Sequence, residues 1–277
     1  MFDWFCANKL KLNATKTKYI IITPNNRRAN ILQNNLSISI NGNVMSQVGS
    51  DFTEKSTKFL GINIDENFSW KYHITNLNNK VSSSLFIINQ AKNSLPLPCL
   101  KTLYFTLIHP HLSYGLLAWG NACTSYLQKT FVLQKRAIRH ITRSAYNSHS
   151  EPLFKQLNIL KLRDLYEYEV TVFMQKYRLH TLPRSFDNCY KRNCEIRNTD
   201  RESRQMNLLH IPRPRTNFSS KLPIHNFANI HNKWFQQYHE NTTISSFKRT
   251  IKKELLSKYT TAYTCTNTHC RFCYNTP

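Results

Sequence analysis

The sequence predicts an α+β fold that is mainly α, with a small β-rich unit, then helices and a basic helical C-terminal region. Two observations carry this prediction. Up to about residue 65 the apolar residues alternate or form short β-branched runs, and from Trp70 they recur at helical spacing. Such a change of period is typical of strands followed by helices. The 277 residues are enough for two domains, or for one domain with an appendage.

The β-rich unit is predicted to contain strands joined by short turns. Residues 19–23 form an apolar run typical of a buried strand. Residues 36–40 alternate with period two and precede Asn41-Gly42, a dipeptide that favours a type I′ turn because both turn residues need positive φ. Residues 59–64 predict one further strand, with Gly61 where the backbone needs a close approach.

Helices are predicted from the apolar spacing that follows. They run from residue 70 to the break at Pro96, over 100–110 with an end or kink near Pro110, and over 126–143, 149–178 and 245–258. The segment 183–221 is rich in Lys and Arg and poor in aliphatic residues. We therefore predict that this segment is a linker or mobile arm that orders on a phosphate backbone.

The charge balance points to a polyanionic partner. Lys and Arg number 38 against 15 Asp and Glu, which gives a formal net charge of +23. Cations in such excess repel each other unless a polyanion neutralises them, and nucleic acid is the usual polyanion. A solvated basic surface is the plain alternative. No dinucleotide-binding or P-loop glycine pattern occurs among the five glycines.

The sequence also favours a location inside the cell. It contains no run of about 18 apolar residues, and no charged-then-apolar secretion signal opens it. We therefore expect a protein of the nucleus or cytoplasm that does not associate with membranes.

The helix predicted over 126–143 separates apolar from cationic residues. With 100° per residue, one side carries Leu127, Phe131, Ile138 and Ile141. The opposite side carries Lys129, Arg136, Arg139, His140 and Arg143. Cations gathered on one face favour binding to a phosphate backbone, and an ordinary solvated face is the alternative.

Five short sequence blocks follow one another in a fixed order. They are NKLKLNATKTK at residues 8–18, KFLGINID at 58–65, WKYHI at 70–74, QKRAIR at 134–139 and HSEPLF at 149–154. The series resembles the reverse transcriptases of LINE-type, non-LTR retrotransposons of the jockey kind, and the resemblance covers most of residues 1–180. Each block is short, but their order makes the match specific.

The resemblance implies a part of an RNA-directed DNA polymerase. In that family the first two blocks follow the catalytic aspartates of the palm, so we expect this chain to begin after the catalytic centre. The implied organisation is a palm remnant with a primer-grip hairpin at 1–65, a helical thumb at 66–145 and a basic C-terminal region at 146–277. The last region ends in a cysteine-containing tail at 260–277.

The resemblance and the charge pattern together assign roles to single residues. Phe59, Leu60 and Gly61 match the primer grip, with plain strand core as the alternative. Lys16 matches a lysine near the nucleotide phosphates, with a solvated turn lysine as the alternative. The cations expected to bind RNA, DNA or RNA–DNA hybrid are Lys80, Lys92, Lys129, Lys135, Arg136, Arg139, Arg143, Arg213 and Arg215.

The catalytic carboxylates of the family are missing from this sequence. No (F/Y)-A-D-D block occurs in it, so Mg²⁺ is expected only in the intact enzyme, and this chain alone is expected to synthesise no DNA. The adjacent acids Asp65 and Glu66 are predicted to form a structural turn. Three interpretations stay open: a part of the polymerase that positions template and primer, a stand-alone basic RNA- or DNA-binding module, and an inactive relic of the element.

A zinc site is a further hypothesis for the tail. Cys265, Cys270 and Cys273 lie close in sequence, beside His269, and Cys189 or Cys194 could supply a fourth ligand. Free cysteines in a frayed tail are the alternative. With eight cysteines at irregular spacing, we expect most of the thiols to be reduced.

Overall fold

The structure is a computed structural model that describes residues 2–10, 13, 16–22, 38–40, 43–49, 52–197, 205–237 and 243–259. Its internal contacts divide the chain into two units, Met1–Asn76 and Leu77–Pro277. Within the described residues the strands lie in the first unit and most of the helices in the second. The predicted α+β class with mainly helical content is therefore confirmed.

Short strand pairs characterise the first unit. Its elements are helix α1 (Phe2–Ala7) and strands β1 (Lys18–Ile20), β2 (Ser39–Ile40), β3 (Asn43–Val44), β4 (Ser46–Val48), β5 (Thr57–Phe59) and β6 (Ile62–Ile64). β1 pairs in parallel with β4, whereas β2–β3 and β5–β6 are antiparallel pairs. Ile40 pairs with Asn43, so two residues connect β2 to β3. This confirms the predicted hairpin, although Asn41 and Gly42 themselves lie outside the described residues.

The single strand predicted over 59–64 is wrong, because this stretch contains a tight turn. Leu60 and Gly61 connect β5 to β6, and Phe59 pairs with Ile62. Leu60 and Gly61 have φ angles of 45° and 84°. A two-residue hairpin of this kind needs positive φ at both central positions. The apolar pattern concealed the turn, since a bulky residue such as Leu60 rarely adopts the left-handed conformation.

The carboxylate of Asp65 organises the turn before the first long helix. Its Oδ1 accepts hydrogen bonds from the N–H groups of Asn67 (3.1 Å) and Ser69 (2.9 Å). Its Oδ2 accepts from the N–H of Trp70 (3.0 Å) and the hydroxyl of Ser69 (3.0 Å). These bonds hold a backbone in which Phe68 and Trp70 have φ of 47° and 62°. The structural turn predicted at Asp65 is confirmed.

Helices make up most of the remaining chain. They are α2 (Lys71–Ala91), α3 (Leu97–Leu103), α4 (His109–Ser113), α5 (Leu116–Trp119), α6 (Thr124–Thr142), α7 (Ser150–Leu157), α8 (Leu162–Arg178), α9 (Asn193–Arg197), α10 (Asn217–Lys221), α11 (Pro223–Lys233) and α12 (Ile244–Ser257). The spacing rules located the long helices correctly. On α12, for example, Phe247, Ile251 and Leu255 are buried, whereas Lys248 and Lys253 are exposed.

The helical stretch continues past Pro110 through a π-helical turn. Tyr104–Ile108 forms a π-helical turn between α3 and α4, and the N–H of His109 donates to the carbonyl of Tyr104, five residues earlier. Proline lacks an N–H and clashes with the preceding turn of a regular helix. The wider π turn gives room for the ring of Pro110.

Helix α8 lies at the centre of the second unit, where it contacts α4, α5, α6, α11 and α12. The hydroxyl of Tyr166 on α8 donates to Asn226 Oδ1 on α11 at 2.8 Å. Gly120, which follows α5, approaches the same ring so closely that a Cβ at position 120 would lie 2.3 Å from Tyr166. A side chain at position 120 would therefore push α5 away from α8.

Carboxylates on α8 hold the last described elements in place. The hydroxyl of Tyr259 donates to Asp164 Oδ2 at 2.5 Å. Glu167 Oε1 accepts from the indole N–H of Trp234 at 2.6 Å and from Lys233 Nζ at 2.5 Å. Burial of these partners raises the pKa of Asp164 and of Tyr259. Trp234 and Tyr259 thus belong to the same core as α8.

The segment predicted as a mobile arm makes defined contacts in its described parts. The hydroxyl of Tyr177 on α8 donates to the carbonyl of Tyr190 at 3.0 Å and accepts from its N–H at 3.2 Å. The side chain of Asn232 on α11 accepts from the N–H of Leu209 and donates to its carbonyl, both at 2.9 Å. These described parts of 183–221 are therefore packed against α8 and α11.

The fully buried amide of Gln134 joins three parts of the core. Its Nε2 donates to the carbonyl of Leu160 at 2.9 Å and to the hydroxyl of Tyr104 at 3.0 Å. Its Oε1 accepts from the N–H of Leu162 at 2.9 Å. Leu162 is the first residue of α8, where N–H groups lack partners within the helix. Gln134 thereby fixes the start of α8 against α6.

Replacing Gln134 by leucine is expected to destabilise the second unit. The substitution keeps a similar side-chain volume. It removes the amide, so the buried carbonyl of Leu160 and N–H of Leu162 lose their hydrogen-bond partners. The free energy of unfolding should fall by about 2–4 kcal/mol in a urea titration. Gln128→Leu, at an exposed position of the same helix, is the matched control. Equal stability of the two variants would contradict the role given to Gln134.

A second expectation concerns the dependence of stability on pH. Burial, reinforced by the charges of Arg178 and Arg192, lowers the pKa of His231 to about 4. Since the unfolded chain takes up this proton near pH 6.5, stability contributed by neutral His231 is lost as the pH falls from 6.5 towards 4.

Urea titrations across this range measure the effect. The free energy of unfolding should decrease by up to about 3 kcal/mol in the unsubstituted chain. His231→Gln should flatten this slope, whereas His180→Gln, at an exposed position, should leave it unchanged. An undiminished slope in His231→Gln would show that another group dominates.

Candidate nucleic-acid interface

Cations from α6 and from the residue after α2 form one group around His140, here called the α6 cation cluster: Lys92, Lys135, Arg136 and Arg139. Burial and then the charges of Lys92 and Arg136 lower the pKa of His140. Burial and then the charge of Arg139 lower the pKa of Lys135. Within the described chain, no carboxylate is among the charges that shift these two pKa values. The cluster therefore repels itself and attracts anions.

Aromatic rings lie beside two members of the cluster. Lys135 Nζ is 4.9 Å from the centroid of the Phe131 ring, and the Arg136 guanidinium is 5.9 Å from that of Tyr146. Cation–π contacts of this kind hold long side chains in place. Tyr146 is 76% exposed, so much of its ring is open to solvent.

Two of the predicted cations also stabilise the surrounding loops. Arg139 Nε donates to the carbonyl of Ser148 at 2.9 Å. Arg143 donates through Nε to the carbonyl of Lys92 at 2.8 Å and through Nη2 to that of Leu95 at 2.9 Å. Each guanidinium has five N–H donors, so both retain donors for a phosphate. Arg139 and Arg143 therefore combine a structural role with their positive charge.

The other predicted cations lie outside the α6 cation cluster. Lys129 is exposed nearer the start of α6, and Lys80 is exposed on α2. Lys80 is close enough to His111 to contribute, after burial, to the lowered pKa of that imidazole. Arg213 and Arg215 are exposed in the extended segment before α10. The fold thus brings together Lys92, Lys135, Arg136 and Arg139, whereas Lys80 lies near His111.

A second cation group was missed by the sequence analysis. Burial and then the charge of Lys101 lower the pKa of Lys252, and burial and then the charge of Lys252 lower the pKa of His109. The ring of Phe105, 37% exposed, lies 5.3 Å from that of His109. Lys252 is far from Lys101 and His109 in sequence. Its predicted outward position on the last helix was therefore the only sequence feature that pointed to this group.

In the first unit, the predicted primer-grip residues form the tip of the β5–β6 hairpin. Phe59 and Leu60 are 61% and 75% exposed, so the alternative interpretation as strand core is wrong. Gly61 is exposed beside them. Lys16 is exposed in a turn where its N–H donates to Asn13 Oδ1 at 3.2 Å.

The described residues do not provide a metal centre. No group of three or more His, Cys, Asp or Glu side chains lies close enough in them to hold a metal ion. Asp65 does not fit Mg²⁺, because both of its carboxylate oxygens accept hydrogen bonds within its own turn. Cys189 and Cys194 are free thiols. The zinc ligands predicted in the tail, Cys265, Cys270 and Cys273, lie outside the described part of the chain.

The helices of the described ranges give no sign of a membrane span. None of them combines the length and the apolar character that crossing a bilayer requires.

Comparison with known proteins identifies relatives among mobile elements. The chain is 27% identical over 147 residues to the RNA-directed DNA polymerase from mobile element jockey of Drosophila melanogaster, which covers 52% of this chain and 15% of the relative. The Drosophila funebris counterpart is 24% identical over 165 residues, 58% of this chain and 17% of the relative. A probable RNA-directed DNA polymerase from transposon X-element of Drosophila melanogaster is 22% identical over 112 residues, 39% and 12% respectively.

The chain thus spans less than a fifth of the length of the curated relatives it matches. No family model matches it, and no solved structure matches it. The resemblance to retrotransposon reverse transcriptases, predicted from the order of the sequence blocks, is confirmed by these relatives.

The hairpin tip yields a test of local strain. Leu60 occupies a left-handed conformation that asparagine adopts more readily. Leu60→Asn is therefore expected to stabilise the hairpin by about 1 kcal/mol, and Gly61→Ala to destabilise it by a similar amount. Amide hydrogen exchange of β5 and β6 measures both effects. Faster exchange in Leu60→Asn than in the unsubstituted chain would contradict the turn geometry.

Proposed function

We propose that this chain is part of the RNA-directed DNA polymerase of a non-LTR retrotransposon and that it positions the template and primer. Its ligand is RNA–DNA hybrid, and it also binds the separate RNA and DNA strands. The order of the sequence blocks and the retrotransposon relatives support the family. Residues 1–65 correspond in this proposal to a palm remnant, 66–145 to a thumb and 146–277 to a basic C-terminal region.

The α6 cation cluster is the observation that carries the proposal. Lys135 and Arg139 are about 6 Å apart along the helix axis, since each residue adds about 1.5 Å, and Arg143 follows directly after the last residue of α6. A row of this kind can meet several phosphates of one backbone without reading the bases. Because no described carboxylate forms an ion pair with the cluster, contact with phosphates relieves its self-repulsion and releases counterions.

The exposed hairpin tip supports a role at the primer. Phe59 and Leu60 present apolar surface to solvent on a rigid two-residue turn. An apolar tip with fixed geometry can hold a sugar or base by contact while the phosphates are bound elsewhere. Lys16 is proposed, from the family motif alone, to face the nucleotide phosphates in the intact enzyme.

The chemistry of nucleotide transfer lies outside this proposal for the isolated chain. Two Mg²⁺ ions would supply that chemistry in the intact enzyme by activating the primer hydroxyl and stabilising the leaving pyrophosphate. The described acids of this chain do not fit that role, as the hydrogen bonds of Asp65 illustrate. The residues present therefore bind and orient the substrate.

Removing two cations of α6 is expected to weaken binding of RNA–DNA hybrid. The double variant Lys129→Gln, Lys135→Gln loses two charges, so its affinity should fall about tenfold, and the slope of log K against log salt should become about 1–2 units shallower. Fluorescence anisotropy of a labelled hybrid at several salt concentrations measures both. The control, Arg163→Gln with Lys253→Gln, makes the same charge change at exposed positions outside α6. Equal losses in both double variants would contradict a localised interface.

The purified chain is also expected to synthesise no DNA. It contains no (F/Y)-A-D-D block, so primer extension with Mg²⁺ should give no product above background although the primer–template is bound. Robust incorporation of nucleotides would overturn this expectation.

A further inference from the structure

A polar pocket lies in the second unit, at the C-terminal end of α8 and beside α11. Its volume is about 630 Å³, within the range of pockets that enclose small ligands. None of the residues predicted from the sequence to bind nucleic acid lines it. The pocket lining therefore shares no residue with the α6 cation cluster.

The walls of the pocket are built by hydrogen bonds within the protein. The Tyr177 hydroxyl pairs with both backbone groups of Tyr190, and the two rings meet edge to face with centroids 5.2 Å apart. Leu209 forms an antiparallel bridge with Arg192 and is paired to the side chain of Asn232. A pocket with walls fixed in this way needs little rearrangement to bind a ligand.

Aromatic rings and cations share the lining. Tyr177, Tyr190 and Phe235 contribute rings, and Arg178 and Arg192 contribute guanidinium groups. Next to them, His231 has its pKa lowered by burial and then by these two arginines, so its imidazole is neutral at pH 7. Rings and guanidinium planes are the groups on which unstacked bases lie, and guanidinium groups also pair with phosphates.

Acceptors and amides complete the lining. Asp187 and Glu195 supply carboxylates, and Asn188 and Asn207 supply amides that both donate and accept hydrogen bonds. The two carboxylates balance the two arginines, so the pocket as a whole carries little net charge. Such a lining disfavours a ligand with several charges, such as pyrophosphate. It suits a ligand with one phosphodiester and a polar ring edge.

We propose that this pocket binds one unstacked nucleotide of single-stranded nucleic acid, with the base among the aromatic rings and the adjoining phosphate at Arg192. The proposal rests on the proposed function, since that function makes nucleic acid the ligand of the chain. A base that is stacked and paired in a duplex cannot enter a pocket. The site therefore distinguishes a single strand from RNA–DNA hybrid, which the α6 cation cluster binds through its backbone.

Photocrosslinking tests the position of the base directly. A short single-stranded RNA with one 4-thiouridine is bound to the full chain and irradiated, and the crosslinked peptides are identified by mass spectrometry. We expect crosslinks at Tyr177, Tyr190 or Phe235, and we expect the same RNA annealed to DNA to lose them. Crosslinks that avoid all pocket residues would overturn the proposal.

A pair of neighbouring substitutions tests the phosphate contact. Arg192→Gln removes an exposed pocket cation and should weaken single-stranded RNA binding about tenfold. Lys191→Gln removes the same charge one residue away, outside the lining, and should change binding by no more than about twofold. Both variants should bind hybrid like the unsubstituted chain. Equal effects of the two substitutions on single-stranded RNA would overturn the proposal, and the crosslinking result decides the matter if either variant fails to fold.

Failure of the pocket and failure of the proposed function have different signatures. If the unsubstituted chain binds hybrid but its crosslinks avoid the pocket, the pocket proposal alone fails. If the chain binds neither hybrid nor single strands, both proposals fail. Single-stranded DNA of the same sequence tests whether the ribose is contacted. Binding equal to that of RNA supports recognition of base and phosphate alone, and weaker binding supports an added contact with the 2′-hydroxyl.

Discussion

The side-chain amide of Gln134 is the interaction on which the second unit depends, because it pairs the backbone at the start of α8 inside the core. Helix α8 in turn contacts α4, α5, α6, α11 and α12, so its position sets theirs. An amide is suited to this place, since it satisfies a donor and an acceptor at once without introducing a charge. The α6 cation cluster and the polar pocket are both positioned by this arrangement, one on the helix that carries Gln134 and the other at the far end of α8.

The scarcity of acids explains why the cations are available for a partner. Several of the 15 acids are engaged in hydrogen bonds within the protein. Asp65 holds a turn, Asp164 binds Tyr259, and Glu167 binds Trp234 and Lys233. With those acids engaged, 38 Lys and Arg face few counter-charges. A polyanion bound along the basic faces of such a fold stabilises it, because it reduces the repulsion between the cations. In the α6 cation cluster, the charge excess noted in the sequence thus becomes a group of cations that forms no ion pair with a described carboxylate.

The sequence predicted the long helices and one hairpin because these follow local rules. Apolar spacing placed α2, α6, α8 and α12, and the dipeptide at 41–42 placed the β2–β3 turn. The β5–β6 turn was missed because Leu60 has a side chain that ordinarily avoids positive φ. The cation group of Lys101 and Lys252 and the pocket beside α11 were missed for another reason. Their residues come from segments far apart in sequence, and only the tertiary fold brings them together.

The central claim is that nucleic acid binds along α6, and lysine footprinting tests it most directly. Acetylation rates of single lysines are measured by mass spectrometry with and without bound RNA–DNA hybrid. The account predicts that Lys92, Lys129 and Lys135 become protected. Lys233, whose side chain is 56% exposed but paired with Glu167, should react at the same rate in both samples. Uniform protection of all exposed lysines, or protection that spares α6, would contradict the account.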